Sequence, residues 1–243
     1  MMAETVRKSL GRNLTYGMLD RLGREIVTGR YDKKAFPTEA ELTEQYSVSR
    51  SVTREAVKML TAKGLLSARP RQGTVVQPST SWNLFDNDVL RWLLDRKFSM
   101  TLLRQFSELR LAIEPAAAAL AARMSDAASR KPIDAGFQRM KAAEAGDDDS
   151  LESDIAFHIS ILQASGNPFY VQLKDLVETA LRTSIRFTNR LKGHSASLPA
   201  HKAVRDAIFA GDPKAAHAKM ELIIREVMLL IEKAERRKIP VDI

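Results

Sequence analysis

The sequence predicts a mainly α protein in two parts, with one small β-hairpin closing the first part. Three observations lead there. Apolar residues recur at three- and four-residue spacing over most of the chain, with no strand-like alternation and no β–α–β rhythm. One short stretch around Pro70 and Gly73 breaks that pattern and favours a turn. Charge is also uneven: residues 1–80 carry a net +6 and the rest of the chain +2, within a total of +8.

Composition narrows the classes. With 44% hydrophobic and 28% charged residues, the 243-residue chain has what it needs to fold, and its length allows two ordinary domains. The absence of cysteine excludes disulfide scaffolds, thiolate zinc fingers, iron–sulfur clusters and thiol catalysis. Apolar runs such as Val227–Ile231 fall far short of the ~20 residues that cross a bilayer. Met1–Arg12 has no apolar block of the secretory kind, so a cytoplasmic protein with no membrane partner is expected.

The elements follow in order. Leu14, Met18, Leu22 and Ile26 make one helix face that ends near Gly29. Thr38 with Glu41 three residues on is a capping box for a short helix through Leu42 and Tyr46. Ser47–Arg50 is a tight connection into a third helix with Val52, Ala56 and Leu60 inward, and Gly64 fits its C′ position. Leu65–Ala68 and Thr74–Gln77 then read as two strands around the turn Arg69–Gly73. Helix, helix, tight turn, helix and basic hairpin make a winged helix-turn-helix. With Val52, Ala56 and Leu60 inward, Arg50, Ser51, Arg54 and Lys58 face outward, as entry into a major groove requires. A solvated basic face is the plain alternative.

The stretch FPTEAELTEQYSVSRSVTREAVKMLTAKGLLSARPRQGTVVQP, within residues 12–78, resembles the DNA-binding domain of the GntR superfamily of bacterial regulators. The resemblance implies operator contacts from Ser49, Arg50, Ser51, Val52 and Arg54, with the wing tip, Gln72 and Gly73, near the minor groove. Ala40 stands where many members carry a DNA-reading arginine, which implies one contact fewer and a different operator.

Past Pro78, the segment WNLFDNDVLRWLL (Trp82–Leu94) is dense in large apolar side chains and reads as a helix packing two domains, or two subunits, together. Helices are then expected from Ser99 or Thr101 to Met124, kinked at Pro115, and over Pro132–Ala145, Leu151–Ala164 and Phe169–Leu191. Two more start near Leu198 and Pro213, giving an all-α bundle of six or seven helices. The expected division is 1–78 for DNA binding, 79–97 as linker and bridging helix, and 98–243 for effector binding and dimerisation.

Asp154 and His158 share a helix face, and His201, near the start of another helix, can converge on them. One carboxylate and two imidazoles suit a divalent cation. Arg110 and Glu114 share a face of the first long helix, and a buried guanidinium can grip a ligand carboxylate with two parallel bonds. By spacing alone these are also the patterns of structural ion pairs. His194 and His217 read as solvated.

ESDIAFHISILQASGNP and AHKAVRDAIFAGDPKAA resemble the effector-binding (FCD) domain of the FadR branch of that superfamily, over about residues 100–235. The resemblance implies Zn²⁺ or another divalent ion held by one Asp and three His, with an Arg that binds a small organic acid. Asp154, His158 and His201 match three ligand positions and Arg110 matches the Arg. The fourth ligand position, three residues after Met220, is Ile223, which cannot ligate. Three readings follow: effector and water complete the site, affinity is low, or the metal is lost. Thr183, Arg186 and Asn189 are further candidate effector contacts.

The WNLFDNDVLRWLL segment and the missing histidine are closer to the galactonate branch of the family than to its lactate or fatty-acyl branches, which implies an aldonic acid effector. The expected function is that of a homodimeric repressor of sugar-acid catabolism, released from a palindromic double-stranded DNA operator by its effector. The alternative is a metal-dependent hydrolase with a basic accessory domain. It lacks HExxH or HxxEH spacing, and Glu114 is its sole nearby candidate base. A single-stranded RNA binder would need more exposed aromatics than a chain with 6% supplies.

Overall fold

The computed structural model describes residues 2–69, 73–97, 99–124, 126–192 and 197–236. The chain divides into two compact units, Met1–Lys97 and Phe98–Ile243.

In the first unit, α1 (Met2–Val27) buries Met18, Leu19, Leu22, Ile26 and Val27, while Leu14, expected on the same face, is exposed. Helix α2 (Glu39–Tyr46) starts with the expected capping box: Thr38 Oγ1 accepts from Glu41 N–H, and the Glu41 carboxylate accepts from Thr38 N–H at 2.7 Å. Glu25 of α1 ties the helices by accepting from the Tyr31 and Tyr46 hydroxyls at 3.0 and 3.2 Å, beside an ion pair to Arg30 at 2.6 Å. Burial, then the Glu25 carboxylate, pushes both tyrosine hydroxyls above their ordinary pKa.

Helix α3 (Arg50–Ala62) buries Val52, Thr53, Ala56, Val57 and Leu60 against α1 and α2. Strands β1 (Leu66–Arg69) and β2 (Gly73–Val76) pair antiparallel from Leu66 with Val76 to Arg69 with Gly73; residues 70–72 lie outside the described ones. After a one-turn helix, Ser79–Ser81, comes α4 (Asn87–Leu93), capped by Asp86. It is shorter than the apolar run suggested: Leu84 and Phe85 precede it and stay exposed, because Asp86 takes the N-cap. Val89, Leu90, Trp92 and Leu93 are buried, and α4 packs on α1. Gly23 permits this, since any Cβ there would run into the Trp92 ring.

The second unit contains α5 (Met100–Arg123), α6 (Ala127–Ala145), α7 (Ser150–Ala164), α8 (Pro168–Gln172), α9 (Lys174–Lys192), α10 (Leu198–Phe209) and α11 (Pro213–Arg236). Two boundaries differ from the sequence reading. Helix α6 starts before Pro132, because Asp126 caps it by accepting from Ser129 N–H at 2.7 Å. The expected helix over Phe169–Leu191 is two helices: Asn167 caps a single short α8, and the chain turns at Leu173 before α9. Helix α5 packs along α11, and α6 along α7, around a core that includes Ala118, Phe137, Phe157, Ile161, Leu181, Val204 and Ile224. The α6–α7 approach is close at Gly136, where a Cβ would sit 2.9 Å from Phe157 Cα. No described helix is long and apolar enough to cross a membrane.

A recognition helix and a buried carboxylate–imidazole pocket

The turn before α3 is three residues, Ser47–Ser49, with Ser47 in the left-handed region at φ 50°. Its N–H closes onto the carbonyls of Thr43 and Glu44. Ser49 then caps α3, its Oγ accepting from Val52 N–H at 3.4 Å and lying 2.9 Å from Ser51 Oγ. A hydroxyl pair at 2.9 Å between Thr43 and Thr53 fixes α2 against α3. Ser49, Arg50, Ser51, Arg54 and Lys58 are all exposed. Val52 is not: it is 9% exposed and belongs to the core. Gly73 is exposed at φ 77°, a backbone that favours glycine, and Gln72 lies outside the described residues. Ala40 is exposed on α2, and its neighbour Glu39 lies 3.5 Å from Arg54 Nε.

In the second unit α5, α7 and α10 bring together the residues that spacing alone left apart. Asp154, His158 and His201 are buried, and one ligand atom from each lies within 4.8 Å of the others. His201 Nε2 is 3.1 Å and His158 Nε2 3.4 Å from Asp154 Oδ1, with the two Nε2 atoms 3.3 Å apart. The opposite ring nitrogens are already committed. His158 Nδ1 is 2.5 Å from Glu114 Oε2 and His201 Nδ1 is 2.8 Å from the Ser197 carbonyl. Each Nδ1 therefore donates outward, so both Nε2 atoms face the Asp154 carboxylate, as lone pairs in the neutral rings and as an N–H where a ring is protonated.

Glu114 has another partner. Arg110 Nε donates to Glu114 Oε1 at 2.6 Å, while Arg110 Nη1 donates to Ser184 Oγ at 2.8 Å. Burial pushes Glu114 up, but Arg110 and His158 outweigh it and hold the carboxyl at about 2. For His158, burial favours the neutral ring, and the carboxylates of Glu114 and Asp154 overcome this to push it up to about 9. Asp154 is likewise held far below the usual carboxylate range, against its burial, by His201 and His158.

These residues fit a divalent cation. Asp154 Oδ1 is buried without a well-directed hydrogen bond, although two imidazole nitrogens are close enough to supply one. Three acceptors converging on one point is unfavourable unless a proton or a cation sits among them. One carboxylate oxygen and two imidazole nitrogens are also the donor types that borderline divalent metals take.

The trio opens on a cavity of about 580 Å³ lined also by Arg110, Ser184, Thr188, Ile223 and Glu226. Ile223 does stand at the cavity, so the fourth ligand position is apolar. Of the α9 candidates, Thr183 and Arg186 are not among the lining residues, and the side chain of Asn189 lies outside the described ones. Ser184 and Thr188 line the cavity instead, one helical turn apart. The amphipathic period of α9 held that register, but choosing the inward face needed the packing partner. In sequence Glu114 stood out as a partner of Arg110 and as the one candidate base of the hydrolase alternative; its bond to His158 spans 44 positions and has no local signal.

Residues 14–76 match the family described as bacterial regulatory proteins, gntR family, and residues 105–226 match the FCD domain. The chain is 33% identical over 88% of its length to YieP, an HTH-type transcriptional regulator of Escherichia coli, covering 94% of that protein. It is 34% identical over 84% of its length to the galactonate operon transcriptional repressor of the same organism, covering 90% of it. The structure of Lar from Listeria monocytogenes shares the fold, with a TM-score of 0.56 at 18% identity, covering 90% of this chain and 96% of that one. The matched families and relatives are transcriptional regulators and not enzymes, so the hydrolase reading has no support. With a GntR-type winged helix-turn-helix followed by an FCD domain, the chain belongs to the FadR-like GntR family of bacterial transcriptional regulators.

Proposed function

We propose that the protein is a cytoplasmic repressor of sugar-acid catabolism genes that leaves its operator when an aldonic acid binds the FCD cavity. The observation that carries this is the meeting of Arg110 with Asp154, His158 and His201 on one cavity. A guanidinium beside a cation site is built for a carboxylate, and the neighbouring Ser184 and Thr188 hydroxyls suit a polyhydroxy chain. Similarity to a galactonate operon repressor supports the same effector class.

Residues 1–78 bind DNA in this reading, 79–97 connect, and 98–243 bind effector and dimerise. Ser49, Arg50, Ser51 and Arg54 enter the major groove, and Gln72 and Gly73 approach the minor groove. As a homodimer, the protein presents two recognition helices one helical turn apart, which matches a short palindrome. Asp154, His158 and His201 hold a divalent ion, with Zn²⁺ favoured by the donors, and effector or water completes the shell where Ile223 cannot. When bound, the ion supplies a Lewis-acidic anchor for a carboxylate and adjacent hydroxyl. Glu114 fixes the His158 ring, and Arg110 neutralises the ligand's charge. Release from DNA requires the effector to favour the non-binding state by about 1–3 kcal/mol, enough to change occupancy 5–150-fold.

The test is a gel shift with DNA from upstream of the protein's own gene, with and without aldonates. A specific complex that aldonates dissolve, and that Arg54→Ala abolishes while the helical content is kept, is the expected result. Normal operator protection by the Arg54→Ala protein would remove the recognition-helix assignment.

A further inference from the structure

Two carboxylates of the FCD cavity take no part in the network around His158. Glu226 of α11 and Glu144 at the end of α6 both line it, and neither has an ion pair or hydrogen bond among the described residues. Of the neighbouring cations, Arg225 is paired with Glu221, Lys202 with Asp206, and Arg205 with Asp134, whereas Lys141 shares a surface groove with Glu144 without an ion pair to it, which leaves Glu226 as the less compensated of the two acids. Arg110, the guanidinium that lines this cavity, is itself bonded to Glu114 and Ser184. The cavity thus combines a site for one negative group, at Arg110 and the Asp154–His158–His201 trio, with two unneutralised acids elsewhere on its wall. Between them, Ile223, Val227 and Leu230 give an apolar side and Thr188 a hydroxyl.

We infer that Glu226 and Glu144 are specificity determinants that reject a second carboxylate, so the cavity takes a monocarboxylic acid with an uncharged hydroxylated tail and excludes the corresponding diacid. This rests on the sugar-acid reading above and sharpens it. A carboxylate is an obligate acceptor when ionised, so it bonds hydroxyls well and repels another carboxylate. At about 580 Å³ the space exceeds what a two- or three-carbon acid fills, so a longer acid anchored at Arg110 extends along a wall to which Glu226 and Glu144 belong. A lone hydroxyl at that end gains acceptors, whereas an ionised carboxyl meets like charge.

The decisive pairs are acids that differ only at the terminal carbon: D-galactonate against galactarate, and D-gluconate against glucarate. Calorimetric titration into the full-length metal-loaded protein is expected to show one aldonate binding at least tenfold tighter than its diacid. In the Glu226→Gln and Glu226→Gln/Glu144→Gln proteins that ratio is expected to shrink mainly through tighter diacid binding. Both side chains are exposed, so the variants keep their fold, which thermal unfolding verifies. Equal binding of an aldonate and its diacid, or a ratio unmoved by the substitutions, overturns the inference and leaves the sugar-acid reading standing. Binding of none of the four acids overturns that reading and the inference with it.

Discussion

Glu114 uses its two carboxylate oxygens on two different cationic groups, Arg110 at 2.6 Å and His158 at 2.5 Å. Replacing it with Gln keeps the shape but turns one of those acceptors into an N–H donor facing a donor. Metal affinity of Glu114→Gln is expected to fall about 10–100-fold, as when other outer partners of metal-bound histidines are lost, and titration with Co²⁺ followed by absorbance measures it. The same residues give the chelator-treated protein a pH dependence. His158, raised to about 9, contributes stability that is full below its unfolded value of about 6.5 and is lost as pH rises through 9. Glu114, lowered to about 2, contributes stability present above about pH 4.3 and lost as pH falls toward 2. Melting temperature in chelator is therefore expected to peak between about pH 4.5 and 6.5, and a Glu114→Gln profile should have both flanks weakened, the remainder coming from Asp154. In the first unit Trp92 fills space and donates from Nε1 to Asp20 Oδ1 at 2.9 Å. Trp92→Ala is expected to cost about 3–5 kcal/mol by denaturant unfolding.

Elements set how accurately those residues meet. Helix α7 carries both Asp154 and His158, and its distance from α6 is set by Gly136 against the backbone of Phe157. Gly136→Ala must move one of these helices. A loss of about 1–3 kcal/mol is expected, with metal affinity falling alongside stability because α7 carries two of the three proposed ligands. If affinity is unchanged while stability falls, the strain is relieved elsewhere. Helix α2 depends on its first turn, so Thr38→Ala is expected to cost about 1 kcal/mol. Its effect on operator binding should exceed that of a distant change of equal cost, since α2 holds α3 through the Thr43–Thr53 pair and faces Arg54 with Glu39.

For the whole molecule, the charge imbalance fixes how binding responds to salt. With +6 of the net +8 in residues 1–80, operator affinity is expected to fall steeply as salt rises. If Lys58 contacts a phosphate, Lys58→Ala should lower the slope of log affinity against log salt by about one while sparing sequence preference; fluorescence anisotropy at several salt concentrations measures both. Arg50→Ala should reduce the preference as well, because a guanidinium at the start of α3 is placed to read base edges.

The amino-acid order by itself determined the local structure: the capping box at Thr38, the tight turn at Ser47–Ser49, the inward face of α3 and the hairpin are each specified within a few residues of one another. Asp154 and His158 were legible for the same reason, being one helical turn apart. Tertiary structure decided what depends on partners distant in sequence. It chose Ser184 and Thr188 over Thr183 and Arg186, and joined Glu114 to His158 across three helices' worth of chain. Periodicity tells which side chains share a face, but which face turns inward is settled only when another element covers it.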